Sequence, residues 1–166
     1  MPISKKLALS DEQLEELMTS CWNMRIATLG PGTRINVTPM WFGWAGGHVY
    51  TYGRGQKVLN LRRNSECSII VDRNELFPEL QAATFQGDAF VLEDETAEEA
   101  DEYLVEARKQ MGVKYNGGHG GPVSENPKPN QSTASGTTNR WIVFKPRKMV
   151  SWDNFKLKEL MKKKEK

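Results

Sequence analysis

Cysteine is nearly missing from this chain of 166 residues: Cys21 and Cys67 stand alone, with no CxxC pair. Two isolated thiols exclude a disulfide scaffold and a cysteine-based zinc ribbon, and they fit a reducing compartment. Histidine is as scarce, with His48 and His119 alone, so the chain offers no His-rich metal cluster and no Ser-His-Asp set. No apolar run approaches the ~20 residues of a membrane span. The start, Met1-Pro2-Ile3-Ser4-Lys5-Lys6, lacks the apolar stretch of a signal peptide, and a cytoplasmic protein is the expectation. Net charge is also small: 23 basic against 21 acidic side chains give +2, too balanced for a dedicated nucleic-acid binder.

What is present suffices for a core. Apolar residues make up 38% of the chain, and its length suits a single domain spanning residues 1–166. The charge is segregated: residues 87–106 carry nine acidic side chains and no basic one, while 140–166 hold ten basic against three acidic. Between them in character lies a short basic cluster, Arg54, Lys57, Arg62 and Arg63, with no acid in the segment. It sits between two strand-like stretches, which sets it apart from a lysine-rich tail.

Ser10 with Gln13 reads as a capping box, and Leu14, Leu17, Met18 and Cys21 continue at helical spacing, which predicts a helix over 11–22. Residues 25–29 suit a strand, Gly30-Pro31-Gly32-Thr33 a turn, and 34–44 with 48–52 a hairpin through Ala45-Gly46-Gly47. Pro39 cannot donate to a ladder, so it marks a bulge or an edge. After Gly53 the spacing of Val58, Leu59 and Leu61 is helical. Strands follow at 67–71 and 82–92, the latter with a bulge expected at Gly87. Thr96 with Glu99 suggests a second capping box opening a helix over 97–111. Residues 112–138 read as a flexible loop rich in Gly, Pro, Ser, Thr and Asn, fit to act as a lid or to be a plain insertion. Residues 141–144 and 149–152 are the last strand signals, split by Lys145-Pro146-Arg147, and residues 157–166 form a basic tail. Six or seven short, hairpin-connected strands imply antiparallel pairing and a small barrel with helices packed on it.

The chemistry-bearing segment is Gly53-Arg54-Gly55-Gln56-Lys57, between the hairpin and a helix. Glycines let a backbone approach a ligand, and a helix start offers free N–H groups and positive potential. Arg54 and Lys57, three apart, fall on one side of that first turn and suit a phosphate. The spacing is neither that of a Walker loop nor GxGxxG, and on physics alone a solvated basic turn serves equally well.

Thr38-Pro39-Met40-Trp41-Phe42, a turn, Val49-Tyr50-Thr51-Tyr52, then Lys57 and Asn60-Leu61-Arg62-Arg63-Asn64 resemble the pyridoxamine 5'-phosphate oxidase-like split-barrel family. The likeness is to its flavin- and deazaflavin-dependent oxidoreductase branch, over residues 10–95 and again, weakly, from Arg140 to Leu157. It implies a mainly β protein with helices (α+β), a six-stranded antiparallel split β-barrel that forms a homodimer with cofactor grooves at the interface. It implies FMN or the deazaflavin coenzyme F-420 as cofactor. Arg54 and Lys57 would hold the phosphate, and Pro39, Met40 and Trp41 would line the ring with Tyr50 and Thr51 beside them. Asn60 would brace the loop or reach the cofactor. Residues 112–138 and the ending Ser151 to Lys156 depart from the vitamin-converting oxidase, so its substrate is not carried over.

Simpler roles stand beside these. Phe42 and Trp44 suit core or interface, Trp41 either that or ring contact, and both cysteines pack as small hydrophobes. His48 reads as an exposed hairpin residue, and Trp152 with Asp153 as a packing Trp and a helix cap. Besides an oxidoreductase acting on a small organic substrate, two classes remain. One is a cofactor or tetrapyrrole binder without fast turnover; the other is a nucleic-acid module using Trp141, Phe144 and Trp152 near the basic end.

Overall fold

The computed structural model describes residues 5–115 and 138–162. The first helix, α1 (Asp11–Ser20), starts as its capping box requires: Gln13 N donates to Ser10 Oγ at 3.3 Å, and Ser10 N donates to Gln13 Oε1 at 3.0 Å. Then follow β1 (Met24–Leu29), β2 (Ile35–Met40), β3 (Gly43–Ala45), β4 (His48–Gly53), α2 (Gln56–Arg63), β5 (Glu66–Arg73) and β6 (Gln81–Leu92). The chain continues through α3 (Glu95–Glu99), α4 (Leu104–Tyr115), β7 (Arg140–Asp153) and α5 (Phe155–Lys162). All seven strands pair antiparallel in one sheet of order β2-β1-β5-β6-β7-β4-β3. The fold is the expected mainly β split barrel with peripheral helices, with seven strands instead of six because three-residue β3 pairs on its own.

The stretch expected as one hairpin over 34–52 is divided. β2 pairs only with β1, with Pro39 opposite Arg25 on the outermost strand, where a missing N–H costs no ladder bond. The hairpin proper is β3–β4, closed by Gly46 (φ 58°) and Gly47 (φ 74°) between paired Ala45 and His48. Two successive positive φ angles are the geometry that twists a two-residue turn to match its strands. Consecutive strands β2 and β3 thus lie at opposite ends of the sheet, joined by Trp41 and Phe42 alone. Three residue steps span at most about 11 Å, so the sheet must curl until its ends nearly meet.

Curling divides the apolar residues between two cores. Inside the barrel, Ile26, Val49, Ile69, Phe85, Ile142 and Phe144 meet Leu17 and Met18 of α1 and Val58 and Leu61 of α2. On the other face, Tyr50, Leu92, Trp141 and Val143 are covered by Leu104, Ala107, Met111 and Tyr115 of α4. Cys21 and Cys67 are buried apolar packing, as expected, and burial pushes the Cys67 thiol up to about 12.

Three boundaries differ from the sequence reading. β7 runs unbroken through Lys145-Pro146-Arg147, because Gln86 pairs with Lys148 and Gly87 with Pro146, leaving Arg147 as the extra residue of a bulge. The expected helix over 97–111 is two: α3, capped by Asp94 accepting from Ala97 N at 2.9 Å, and α4. Asp94, not Thr96, is the cap. Gly112 to Tyr115, expected at the start of a loop, form the last turn of α4. Residues 116–137, with His119, lie outside the described residues, as does the end of the basic tail.

Gly87 is where the bulge closes on β6: a Cβ there would lie 2.2 Å from Lys145 O, a backbone atom. Gly87→Ala should therefore force the long β6–β7 pair apart and destabilise the fold by about 1–3 kcal/mol, measured as a lowered midpoint in urea. A midpoint equal to wild type would show that the bulge yields without cost.

Candidate functional site

The site begins with the turn out of β4. Gly53, the last β4 residue, faces Met40 across the split: a Cβ on Gly53 would sit 2.7 Å from Met40 Cε and 3.6 Å from Lys57 Nζ. The absence of a side chain at Gly53 is what lets the end of β2 and the start of α2 close on each other. Gly55 then takes φ 85°, a left-handed value open to glycine, and serves as the N-cap of α2 without any side-chain cap bond. Val58 N donates to Gly55 O at 3.0 Å, and the amides of Gln56 and Lys57 before it are left to solvent or to a ligand.

Arg54 is exposed and Lys57 half-buried beside it, with Lys57 Nζ donating to Arg54 O at 2.7 Å. Burial, and then the neighbouring Arg54 charge, hold the Lys57 amine below its ordinary 10.5. Among the described residues neither cation has a carboxylate in ion-pair range. An incoming anion would relieve the repulsion and restore that pKa.

Met40 faces this turn from the other side of the split, while the Trp41 ring stacks on Tyr115 of α4 with centroids 4.4 Å apart. Thr51 Oγ1 donates to Trp41 O at 2.7 Å, so the buried Thr51 fixes the Trp41 backbone. Met40, Arg54 and Lys57 are therefore brought together around Gly53, with Thr51 holding the Trp41 backbone one residue on and Pro39 one residue back on the exposed edge of β2. Tyr50 is not among them. Its ring is fully buried under α4 and its hydroxyl donates to Asp101 Oδ1 at 2.7 Å, so only its backbone belongs to the neighbouring strand. Asn60 is fully buried too, donating to Thr28 Oγ1 at 3.0 Å and accepting from Gln56 Nε2 at 2.8 Å. It braces α2 against β1.

A cleft of about 730 Å³ opens on the far side of that brace, lined by Gly30, Pro31, Gly32, Arg34, Asn36 and Gln56 among others. The sequence reading placed Gln56 in the chemistry-bearing segment without a role and passed over Arg34. The signal for Arg34 was a lone cation at the start of a strand after a glycine turn, which single-strand alternation does not distinguish from a solvated residue.

Among the described residues no helix is long and apolar enough to cross a membrane, and no cluster of His, Cys, Asp and Glu could hold a metal ion. Trp141 and Phe144 are core residues, 0% and 1% exposed, so they provide no platform for stacking bases. His48 is half-buried against the Tyr103 ring at 5.8 Å, less open than expected. Asp153 does cap α5, accepting from Phe155 N at 3.0 Å.

A curled antiparallel sheet split between its end strands, with a glycine turn and a basic helix start at the split, defines a split-barrel protein. Residues 10–152 match the model of the pyridoxamine 5'-phosphate oxidase family, and the chain belongs to that family. The conserved hypothetical protein Rv2991 from Mycobacterium tuberculosis superposes with TM-score 0.73 at 21% identity, over 95% of this chain and 93% of that one. An FAD-binding protein of Mesorhizobium loti gives 0.61 at 16% identity, over 87% and 94%. A structure described as an F420 reductase gives 0.53 at 20% identity, over 82% and 94%. No curated protein matches the sequence.

Asn60→Ala would strand the buried Thr28 hydroxyl. Leaving buried polar groups unpaired costs about 1–3 kcal/mol, so the variant should unfold at clearly lower denaturant. Unchanged stability would mean that Asn60 is not a brace.

Proposed function

We propose that this protein is a flavin- or deazaflavin-dependent oxidoreductase. It binds FMN or coenzyme F-420 in a groove at a homodimer interface and moves a hydride to or from a small organic substrate. The observation that carries the reading is the pair Arg54 and Lys57, without a carboxylate partner among the described residues, at an uncapped helix start against Met40 and Trp41. Family membership and the similarity to a flavin-binding and a deazaflavin-linked structure support it.

The residues fit such a group. Two cations without a carboxylate partner, at a helix start with open amide N–H groups, suit a phosphate; the Met40 side chain beside them adds an apolar contact, and the Pro39–Trp41 backbone would line a flat ring. The bound cofactor would supply the hydride chemistry. The chain's own part is to hold the phosphate with Arg54 and Lys57, to orient the ring against a backbone pinned by Thr51, and to keep water away from it.

The aromatic residues Trp41, Phe42 and Trp44 are engaged within the chain and do not call for a dimer. Phe42 is fully buried, Trp41 stacks on Tyr115 with ring centroids 4.4 Å apart, and Trp44 Nε1 donates to Glu15 Oε2 at 2.8 Å. A different feature supports a dimer: edge strand β2 exposes Ile35 (70%) and Val37 (60%) on one face. An open apolar edge strand next to the site is best covered by a second copy. Light scattering should give about twice 18.8 kDa, and Val37→Glu should yield monomers that bind cofactor poorly. A wild-type mass near 18.8 kDa would remove the shared groove.

The test of the cofactor is an absorbance spectrum of the purified protein, followed by titration with FMN and with F-420. Lys57→Ala should weaken whichever binds by about tenfold or more, the worth of one charge-assisted bond. Because the folded Lys57 amine loses its proton below the ordinary lysine range, affinity should fall as pH rises through that lowered pKa, and Lys57→Arg should extend binding to higher pH. A tetrapyrrole spectrum with no flavin or deazaflavin binding would overturn the assignment.

A further inference from the structure

We propose that Lys114 and Tyr115, the last two residues of α4, are positioning residues that fix the Met40–Phe42 segment from behind and so set the seat of the cofactor ring. The inference rests on the cofactor reading above and adds residues that lie on none of the elements assigned to it.

The geometry is specific. Phe42 N donates to Tyr115 Oη at 2.9 Å, and the Tyr115 hydroxyl proton is shared between Trp22 O at 2.9 Å and Phe42 O at 3.1 Å. Lys114 Nζ donates to Met18 O at 3.0 Å, Cys21 O at 3.1 Å and Phe42 O at 3.2 Å. Its amine also lies 4.0 Å from the centroid of the Phe42 ring. The Tyr115 ring is parallel to Trp41 within 5°, and Trp22 packs edge-on to both. Two side chains of one helical turn thus tie the end of α1, the chain before β1 and the link between β2 and β3.

The link needs them. Phe42 has no strand partner, and a buried N–H or C=O without a bond is costly. Tyr115 and Lys114 satisfy both groups, and the stack fixes the ring of Trp41. A different setting of Phe42 would carry Met40 and Trp41 away from Gly53 and Lys57.

The groups facing the Lys114 amine are carbonyls and rings, with Cys21 the titratable neighbour on the α1 side and Tyr115 on α4. Burial pushes the Cys21 thiol up and the Tyr115 hydroxyl up to about 12, so both face the amine uncharged at neutral pH. Carbonyl dipoles at a helix end and a ring face favour the ammonium form. Burial pulls the other way and brings the amine down to about 8. The clamp is then full at neutral pH and loses its charge in mildly alkaline solution.

The experiment compares wild type, Lys114→Met, Lys114→Gln, Tyr115→Phe and Lys57→Ala. It reads near-ultraviolet circular dichroism of the cofactor-free proteins, and the affinity and visible spectrum of bound FMN and F-420 between pH 6.5 and 9.5. Lys114→Met and Tyr115→Phe should change the aromatic dichroism, weaken binding about tenfold and alter the shape of the bound-cofactor bands. Wild-type affinity should fall through an inflection near pH 8 that Lys114→Met lacks. Lys114→Gln keeps N–H donors, so it should restore the band shape but not the inflection. Lys57→Ala should weaken binding with the band shape intact.

Wild-type affinity, spectrum and pH profile in both Lys114→Met and Tyr115→Phe would overturn the inference. If Lys114→Met does not fold, Lys114→Gln and Tyr115→Phe decide on the same readouts. If wild type binds neither cofactor, the cofactor reading fails. The clamp is then judged on the cofactor-free dichroism, where unchanged signals in Lys114→Gln and Tyr115→Phe overturn it.

Discussion

Two residues, Trp41 and Phe42, join the strands at opposite ends of a seven-stranded sheet. A link that short leaves the sheet one way to exist: rolled until β2 and β3 are neighbours in space yet unpaired. The interior core, the second core under α4 and the split itself all follow from that. So does the local demand for hydrogen bonds, because backbone at the split has no ladder to join. Thr51 answers it for Trp41 O, Tyr115 and Lys114 for Phe42. Thr51 comes from β4 and the other two from α4, which makes the split a place where the barrel, its hairpin and its outer helix are mutually fixed.

Much of this was legible along the chain where the physics is local. The Ser10–Gln13 box, the glycine turn of the β3–β4 hairpin, the basic start of α2 and the buried cysteines depend on neighbours within a few residues. The split was not, since residues 34–52 carry the alternation of a single hairpin and nothing local marks the jump from one sheet edge to the other. Lys145-Pro146-Arg147 looked like a break because a bulge depends on the partner strand: only the close approach of Gly87 makes room for it. Of the site, Arg54, Lys57, Met40 and Trp41 were visible from turn chemistry and family resemblance. Tyr50 is the neighbour of Thr51 in β4, but its side chain falls on the opposite face, under α4, a difference of side that period-2 reading cannot resolve when both faces are buried. Lys114 and Tyr115 were hidden inside a segment whose glycines and prolines, further on, read as loop.

The segregated charge acquires a meaning from the fold. The acidic stretch lies against sheet and helix, where Glu93 pairs with Arg62, Glu98 with Arg108, and Asp88 and Glu66 with Arg147. Such pairs, mostly open to solvent, add little stability individually. Their effect is on where uncompensated charge remains. Arg62, Arg108 and Arg147 are matched by nearby carboxylates, while Arg54 and Lys57 at the split have none in range among the described residues. Two neighbouring cations are thereby left at one helix start, next to an apolar wall formed by Met40. The closure that forces β2 against β3 is also what brings that wall to the two cations. Barrel closure and the approach of Met40 to the Gly53–Lys57 turn are one constraint, and a change that relaxed the split would lose both together.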